Sequence, residues 1–299
     1  FESQTKNKLG NTNIRADLAK RVKEAVILTL KKHPSSADRI QEKIKLNEKT
    51  RKNAQFLKQE LKDKQKKLHY KIPKLRDCKF HLTDNSLYGN NSSIFITEGE
   101  SASASILASR NPLTQAVFSL RGKPMNVFSS KEETIYKNDE LFYLATALGL
   151  HKNSLQNLRY NHIILATDAD VDGMHIRNLM ITFFLKTFLP VVEQNHLFIL
   201  ETPLFKIRYK DETFYCYSEE EKLSTIERLG KKESSLEITR FKGLGEISPK
   251  EFKSFIGPDM RLTPVSPPNA DTLDALLQFY MGKNTKERKH FIIENLVTN

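Results

Sequence analysis

The chain has 299 residues, 48 Lys and Arg against 36 Asp and Glu, and a formal net charge of +12. At roughly 150 residues per domain this length suggests about two domains, and 38% hydrophobic with 28% charged residues suits a soluble globular protein rather than a disordered tail. No apolar run reaches the about 18 residues of a membrane span, and two cysteines, Cys78 and Cys216, exclude a disulfide scaffold or a Cys-rich zinc site and fit a reducing cytosol.

The chain opens Phe1-Glu2-Ser3 with no initiator Met and no signal peptide, which points to a fragment of a longer protein. Asn11 to Asn13 can cap a helix whose apolar stripe is Ile14, Leu18, Val22, Val26 and Leu30. Pro34 breaks that helix and can open the next. Sparse apolar positions from Asp38 to Tyr70 then suit a mostly exposed helix, ended by Pro73. The excess charge sits here: residues 31–80 hold 17 Lys and Arg against 6 Asp and Glu. Dense positive charge attracts phosphate, so the block invites a nucleic-acid reading, although a solvated linker has the same composition.

After residue 90 the pattern changes. Ile94 to Ile96, Gln115 to Leu120, Ile163 to Ala166 and Leu197 to Leu200 read as strands. Helical stretches at Ser101–Arg110, Asp139–Leu150 and Gly173–Leu189 alternate with them. Alternation of this kind predicts an α/β fold with a parallel sheet, its strands apolar on both faces. From Lys206 to Ser218 the strands look antiparallel, and helices are expected at Glu219–Leu229, Pro249–Ile256, Ala270–Met281 and Lys286–Leu296. Phe279, Tyr280, Phe291, Ile292 and Ile293 can pack the last two together.

The chemistry concentrates at two strand ends. Asp168, Asp170 and Asp172 follow the Ile163 strand directly, and Glu98 follows the Ile94 strand. In extended geometry positions i, i+2 and i+4 face one way, and α/β folds bind ligands at the carboxyl ends of their strands. Carboxylates so close raise one another's pKa, a cost that a hard divalent cation such as Mg²⁺ or Ca²⁺ removes. Four carboxylates around a metal suit phosphoryl transfer on a polyanion.

Three rival readings compete. Asp168 to Gly173 matches the opening of a calcium-binding helix–loop–helix loop, but the twelfth position is Leu179 rather than Glu and a strand precedes it. A haloacid dehalogenase-type phosphatase carries Asp-x-Asp-x-Thr/Val after a strand; here Asp172 stands at the Thr/Val position. An acidic turn favoured by a helix dipole explains one Asp, but not three together with Glu98.

The ordered set Gln4-Thr5-Lys6, Ile72 to Cys78, Glu98 to Ala102, Leu120 to Lys123, Asn126, Thr167 to Arg177, Pro203 to Phe205, Arg240 to Glu246 and Met281-Gly282 resembles the B subunits of bacterial type IIA DNA topoisomerases. Within that family, Phe118 to Lys123 and Thr202 to Phe205 look more like topoisomerase IV than gyrase.

The resemblance implies the end of a transducer domain and a basic helical linker over 1–76. A Toprim domain with a Rossmann-like parallel sheet follows over 77–205, and a mostly helical tail over 206–299. It further implies a cytoplasmic enzyme that cleaves and religates double-stranded DNA with the tyrosine of an A subunit, in a heterotetramer of two A and two B subunits. By motif, Glu98, Asp168, Asp170 and Asp172 hold Mg²⁺, and Glu98 is the catalytic acid–base group. Arg121, Lys123, Asn126, His175 and Arg288 match DNA-contacting positions. Gln4 and Lys6 match the loop that reaches ATP in full-length subunits, yet the chain has no ATPase core of its own. The family's Glu-Gly-Asp-Ser-Ala-Gly-Gly reads Glu98-Gly99-Glu100-Ser101-Ala102-Ser103-Ala104 here, which puts close backbone approach at the last two positions in doubt.

Overall fold

The computed structural model describes residues 12–45, 47–48, 72–84, 87–151, 154–267 and 269–296. The chain divides into two units, residues 1–69 and 70–299. In the first, α1 spans Thr12–Lys32 and ends in Lys31 and Lys32, where cations complement the helix dipole. After a break at His33, residues 34–45 form α2, with Pro34 in its first turn. The expected stripe is present on α1, but Ile14, Leu18, Val22 and Val26 are all exposed. Gln4, Lys6 and the expected basic helix beyond residue 48 lie outside the described residues.

The second unit begins with β1 (Leu75–Arg76), β2 (Ser93–Thr97), α3 (Glu100–Ser109), β3 (Gln115–Ser119), α4 (Glu132–Lys137), α5 (Asp139–Leu148), β4 (His162–Ala166), α6 (Val171–Thr187), α7 (Leu189–Glu193) and β5 (Leu197–Leu200). It continues through β6 (Phe205–Tyr209), β7 (Glu212–Cys216), α8 (Glu219–Leu229), β8 (Glu237–Arg240), α9 (Pro249–Phe255), β9 (Leu262–Pro264), α10 (Ala270–Met281) and α11 (Thr285–Glu294).

The expected parallel sheet is present. Its order is β1-β3-β2-β4-β5-β9, with β3, β2, β4 and β5 mutually parallel and β1 and β9 antiparallel at the edges. Ile94, Ile96, Phe118, Ile163 and Leu165 pack with Leu144, Leu148, Ile176, Met180 and Phe183 from α5 and α6. Phe95, Val117, Ile164 and Ala166 pack with Ala102, Ile106, Phe252 and Phe255 from α3 and α9. Burial on both faces explains why these strands read as unbroken apolar runs.

The tail is more than helical. A second sheet, β7-β6-β8, is antiparallel throughout, and β9 returns to pair with β5 of the main sheet. Phe279 and Phe291 meet edge to face at 5.5 Å between α10 and α11, as expected, whereas Tyr280, Ile292 and Ile293 are exposed. Among the described residues no helix is long and apolar enough to cross a membrane.

Candidate active site

Thr97 at the end of β2 is in register with Ala166 at the end of β4. The parallel pairing therefore carries the next residues of both strands, Glu98 and Thr167-Asp168, to the same sheet edge. Thr97 and Thr167 are buried. The Thr97 hydroxyl lies 2.6 Å from the Ser103 hydroxyl, which also donates to the Gly99 carbonyl at 2.8 Å and meets Ser119. Ser103, where the resemblance leads one to expect glycine, thus joins β2, β3 and α3 rather than leaving an open backbone. Arg177 of α6 donates to the Thr167 hydroxyl from Nε at 3.3 Å and from Nη2 at 3.2 Å.

The three aspartates differ in setting. Asp170 is the N-cap of α6, its Oδ1 accepting from the Gly173 amide at 2.7 Å. Such caps fix helix starts, and α6 accordingly begins at Val171, two residues before the expected Gly173. The extended run that would aim all three carboxylates one way stops there. Asp172 falls in the first helical turn, exposed, with Lys123 Nζ 2.7 Å from its Oδ1. Asp168 lies deeper: its Oδ1 accepts from the Leu244 amide at 2.8 Å. A Cβ at Gly173 would stand 2.2 Å from the Asp168 carbonyl oxygen, and one at Gly243 2.8 Å from Asp168 Oδ2.

Glu98 completes the group. Its Oε2 is buried without a hydrogen-bond partner. Burial, then the neighbouring charges of Asp168, Asp170 and Asp172, push its carboxyl above the ordinary range, and the Asp168 amide offsets this only in part. A buried oxygen lacking a donor, other carboxylates nearby as hard oxygen ligands and the missing side chain of Gly243 beside Asp168 Oδ2 fit a small hard cation such as Mg²⁺.

The other expected residues divide. Arg121, Lys123 and His175 are exposed, and the Arg121 backbone amide donates to Glu140 Oε1 at 2.7 Å. Asn126 and Arg288 both serve the end of α10. Asn126 Nδ2 donates to the Met281 carbonyl at 2.9 Å. Arg288 Nη1 donates to the carbonyls of Phe279 at 3.0 Å and Gly282 at 2.8 Å, a cationic cap on the last turn. Leu244, Gly243 and Arg177 have no site role in the sequence reading, although they lie within the resemblance-carrying segments Arg240 to Glu246 and Thr167 to Arg177.

A tighter cluster lies elsewhere. Ligand atoms of Asp77, Cys78 and His81 all lie within 4.8 Å of one another, the one such trio among the described residues; the acidic group is spread wider, as like charges dictate. The trio already holds a cation. Arg159 Nη2 pairs with Asp77 and lies 2.7 Å from His81 Nε2. Burial and the Asp77 charge push the Cys78 thiol up to about 11, so it offers no thiolate. This is a structural tie, not a metal centre.

The family model described as Toprim domain matches residues 93–202, the stretch that contains Glu98 and all three aspartates. Models described as DNA gyrase B and as DNA gyrase B subunit, carboxyl terminus, match residues 1–60 and 233–293. The B subunit of DNA topoisomerase 4 from Borreliella burgdorferi is 50% identical over 298 residues, 99% of this chain and 49% of that relative. The chain belongs to the DNA gyrase B and topoisomerase 4 B family.

Two further relatives are less similar. The DNA gyrase B subunit of Clostridium acetobutylicum is 34% identical over 301 residues, 99% of this chain and 46% of the relative. That of Thermotoga maritima is 33% identical over 298 residues, 98% and 46%. The chain spans about half the length of the curated relatives it matches. The crystal structure of Plasmodium falciparum topoisomerase II DNA-binding, cleavage and re-ligation domain shares the fold, with TM-score 0.64 and 24% identity over 76% of this chain and 32% of that one. Because the Toprim match takes in both strand ends together, the dehalogenase-type reading loses its ground.

Proposed function

We propose that this chain is the Mg²⁺-binding part of a topoisomerase IV-like B subunit, which cleaves and religates double-stranded DNA with the tyrosine of an A subunit. The observation that carries this reading is Glu98, whose partnerless buried oxygen stands one strand from Asp168. Topoisomerase IV is favoured over gyrase by 50% identity against 34%.

Glu98, Asp168 and Asp170 would hold the metal, with Asp172 at its side. Bound there, Mg²⁺ supplies electrostatic stabilisation of the scissile phosphate. Glu98 is also the acid–base group of this reading: it would give a proton to the departing 3′-oxygen in cleavage and take it back in religation. Arg121, Lys123 and His175 offer exposed positive or hydrogen-bonding groups to the DNA backbone. Asn126 and Arg288, which both hold the end of α10, join this DNA-contacting set in the reading. Domain limits at 76 and 205, an A₂B₂ assembly, a cytoplasmic setting, and ATP reached by Gln4 and Lys6 in a full-length protein complete the reading.

The test combines the B subunit, a purified A subunit, Mg²⁺ and supercoiled plasmid. Cleaved DNA joined covalently to the A subunit is expected only when all are present. Strong cleavage by this chain alone would overturn the shared site, as would full activity in Asp168→Asn.

A further inference from the structure

Asp168 is held from 76 residues further along the chain, by a turn that is itself tied down on both sides. The segment after β8 leaves the second sheet at Phe241, whose amide donates to the Leu204 carbonyl at 2.9 Å. The Lys242 amide donates to Glu246 Oε2 at 2.8 Å, and the Glu246 amide to the Gly243 carbonyl at 3.1 Å. Leu244 and Ile247 are buried, which anchors the turn to the core below. The turn then presents one backbone donor, the Leu244 amide, to Asp168 Oδ1 at 2.8 Å, while the other carboxylate oxygen lies against Gly243.

Gly243 has ordinary extended backbone, φ −145° and ψ 158°, so conformation does not demand glycine there. Close approach does: a Cβ would come within 2.8 Å of Asp168 Oδ2 and 3.1 Å of its Cγ. Two residues on, a Cβ at Gly245 would make only ordinary contact, 3.6 Å from the Ser101 Cβ. The two glycines of one turn therefore differ in what they exclude.

We propose that Gly243 and Leu244 are positioning residues for the acidic site: the tail fixes the Asp168 carboxylate plane by one amide donor and one missing side chain. This rests on the reading of the carboxylates as a metal site. A ligand held by an outer hydrogen bond loses about 10–100-fold in metal affinity when that partner is lost.

The experiment measures Mn²⁺ binding to the whole chain by the paramagnetic signal of free Mn²⁺, with thermal melts in metal-free buffer alongside. Gly243→Ala should weaken Mn²⁺ binding by about 10–100-fold with little change in the metal-free melt, and Gly245→Ala should bind like wild type. Glu246→Ala, which frees the Lys242 amide without adding volume, should weaken binding in the same direction and decides the matter if Gly243→Ala unfolds. Wild-type affinity in both Gly243→Ala and Glu246→Ala overturns the proposal, and so does equal weakening in Gly245→Ala. If wild type and Asp168→Asn bind Mn²⁺ alike, the metal reading itself falls, and the proposal with it.

Discussion

Lys123 Nζ stands 2.7 Å from Asp172 Oδ1, an exposed pair that joins the loop after β3 to the first turn of α6. Its hydrogen bond and charge hold the Asp172 carboxyl below the usual range. An exposed pair of this kind does little for stability, so its effect lies in where charge sits beside the acidic site. Lys123→Ala should leave the melting temperature unchanged and let Asp172 titrate at higher pH, read by carboxyl-carbon NMR. Binding isotherms over a salt series should lose about one unit of slope in log K against log salt, the signature of one phosphate contact. An unchanged slope would remove Lys123 from the DNA face.

Glu98 gives the opposite pH signature. Its folded carboxyl is raised, by burial first and Asp168 next. The folded state then binds more protons than the unfolded one between the ordinary carboxylate pKa and the raised value, so stability falls as pH rises through that window. Glu98→Gln removes the charge but keeps the shape. In metal-free buffer at pH 7 it should melt above wild type, and the gain should shrink at pH values below the ordinary range. In the reconstituted cleavage assay the same variant should lose at least about 100-fold, as expected when a metal-site ligand is removed. Equal melting curves across pH would mean that the Glu98 carboxyl is not strained by its surroundings.

The parts of this fold that could be read from the sequence are those in which local pattern and tertiary demand coincide. β2 and β4 are apolar on both faces because helices cover both, and the amphipathic spacing of α8 and the composition of α10 mark their limits directly. β9 is three residues, Leu262–Pro264, and becomes a strand only because β5 offers it an edge. No local property of Lys242-Gly243-Leu244-Gly245 says that the Leu244 amide returns to Asp168. Asp172 could be recognised as acidic and near its neighbours, but not as a helical residue, because Asp170 decides where α6 starts.

The tie around Asp77 has consequences for stability. Burial alone would raise this carboxyl, yet His81, Tyr160 and Arg159 together hold it well below the usual range. The Tyr160 hydroxyl donates to Asp77 Oδ1 at 2.6 Å from a fully buried ring. Tyr160→Phe removes one hydrogen bond to a charged acceptor, a loss of about 1.5 kcal/mol, and about 2–4 °C in melting temperature per kcal/mol in a chain of this size. A depressed carboxyl contributes stability above its unfolded pKa and loses it only as pH falls through the folded one. The deficit of Tyr160→Phe should therefore persist from pH 7 down to about pH 3 in thermal melts. Recovery already at pH 4 would show that Asp77 titrates normally.

Glu251 combines a helix cap with a link between the second sheet and α9. It closes the capping box with Ser248, and its Oε1 accepts from Lys206 Nζ at 3.1 Å and from the Tyr215 hydroxyl at 2.9 Å. Burial raises its carboxyl, but Ser248, Lys206 and Tyr215 outweigh that and bring it down to about 2. The stability it contributes is full above the ordinary carboxylate range and is lost as pH falls toward about 2. Glu251→Gln keeps one acceptor oxygen, enough for the Tyr215 side or for the Ser248 cap but not for both, and removes the charge opposite the lysine; it should cost about 1 kcal/mol at pH 7. Glu251→Ala also surrenders the cap and should cost about 2 kcal/mol or more. Urea unfolding at pH 7 and at pH 2.5 separates the contributions: the Gln variant should approach wild type at the lower pH, whereas the Ala variant should remain below both. If Gln and wild type differ equally at the two pH values, the Lys206 pair is not what lowers the Glu251 carboxyl.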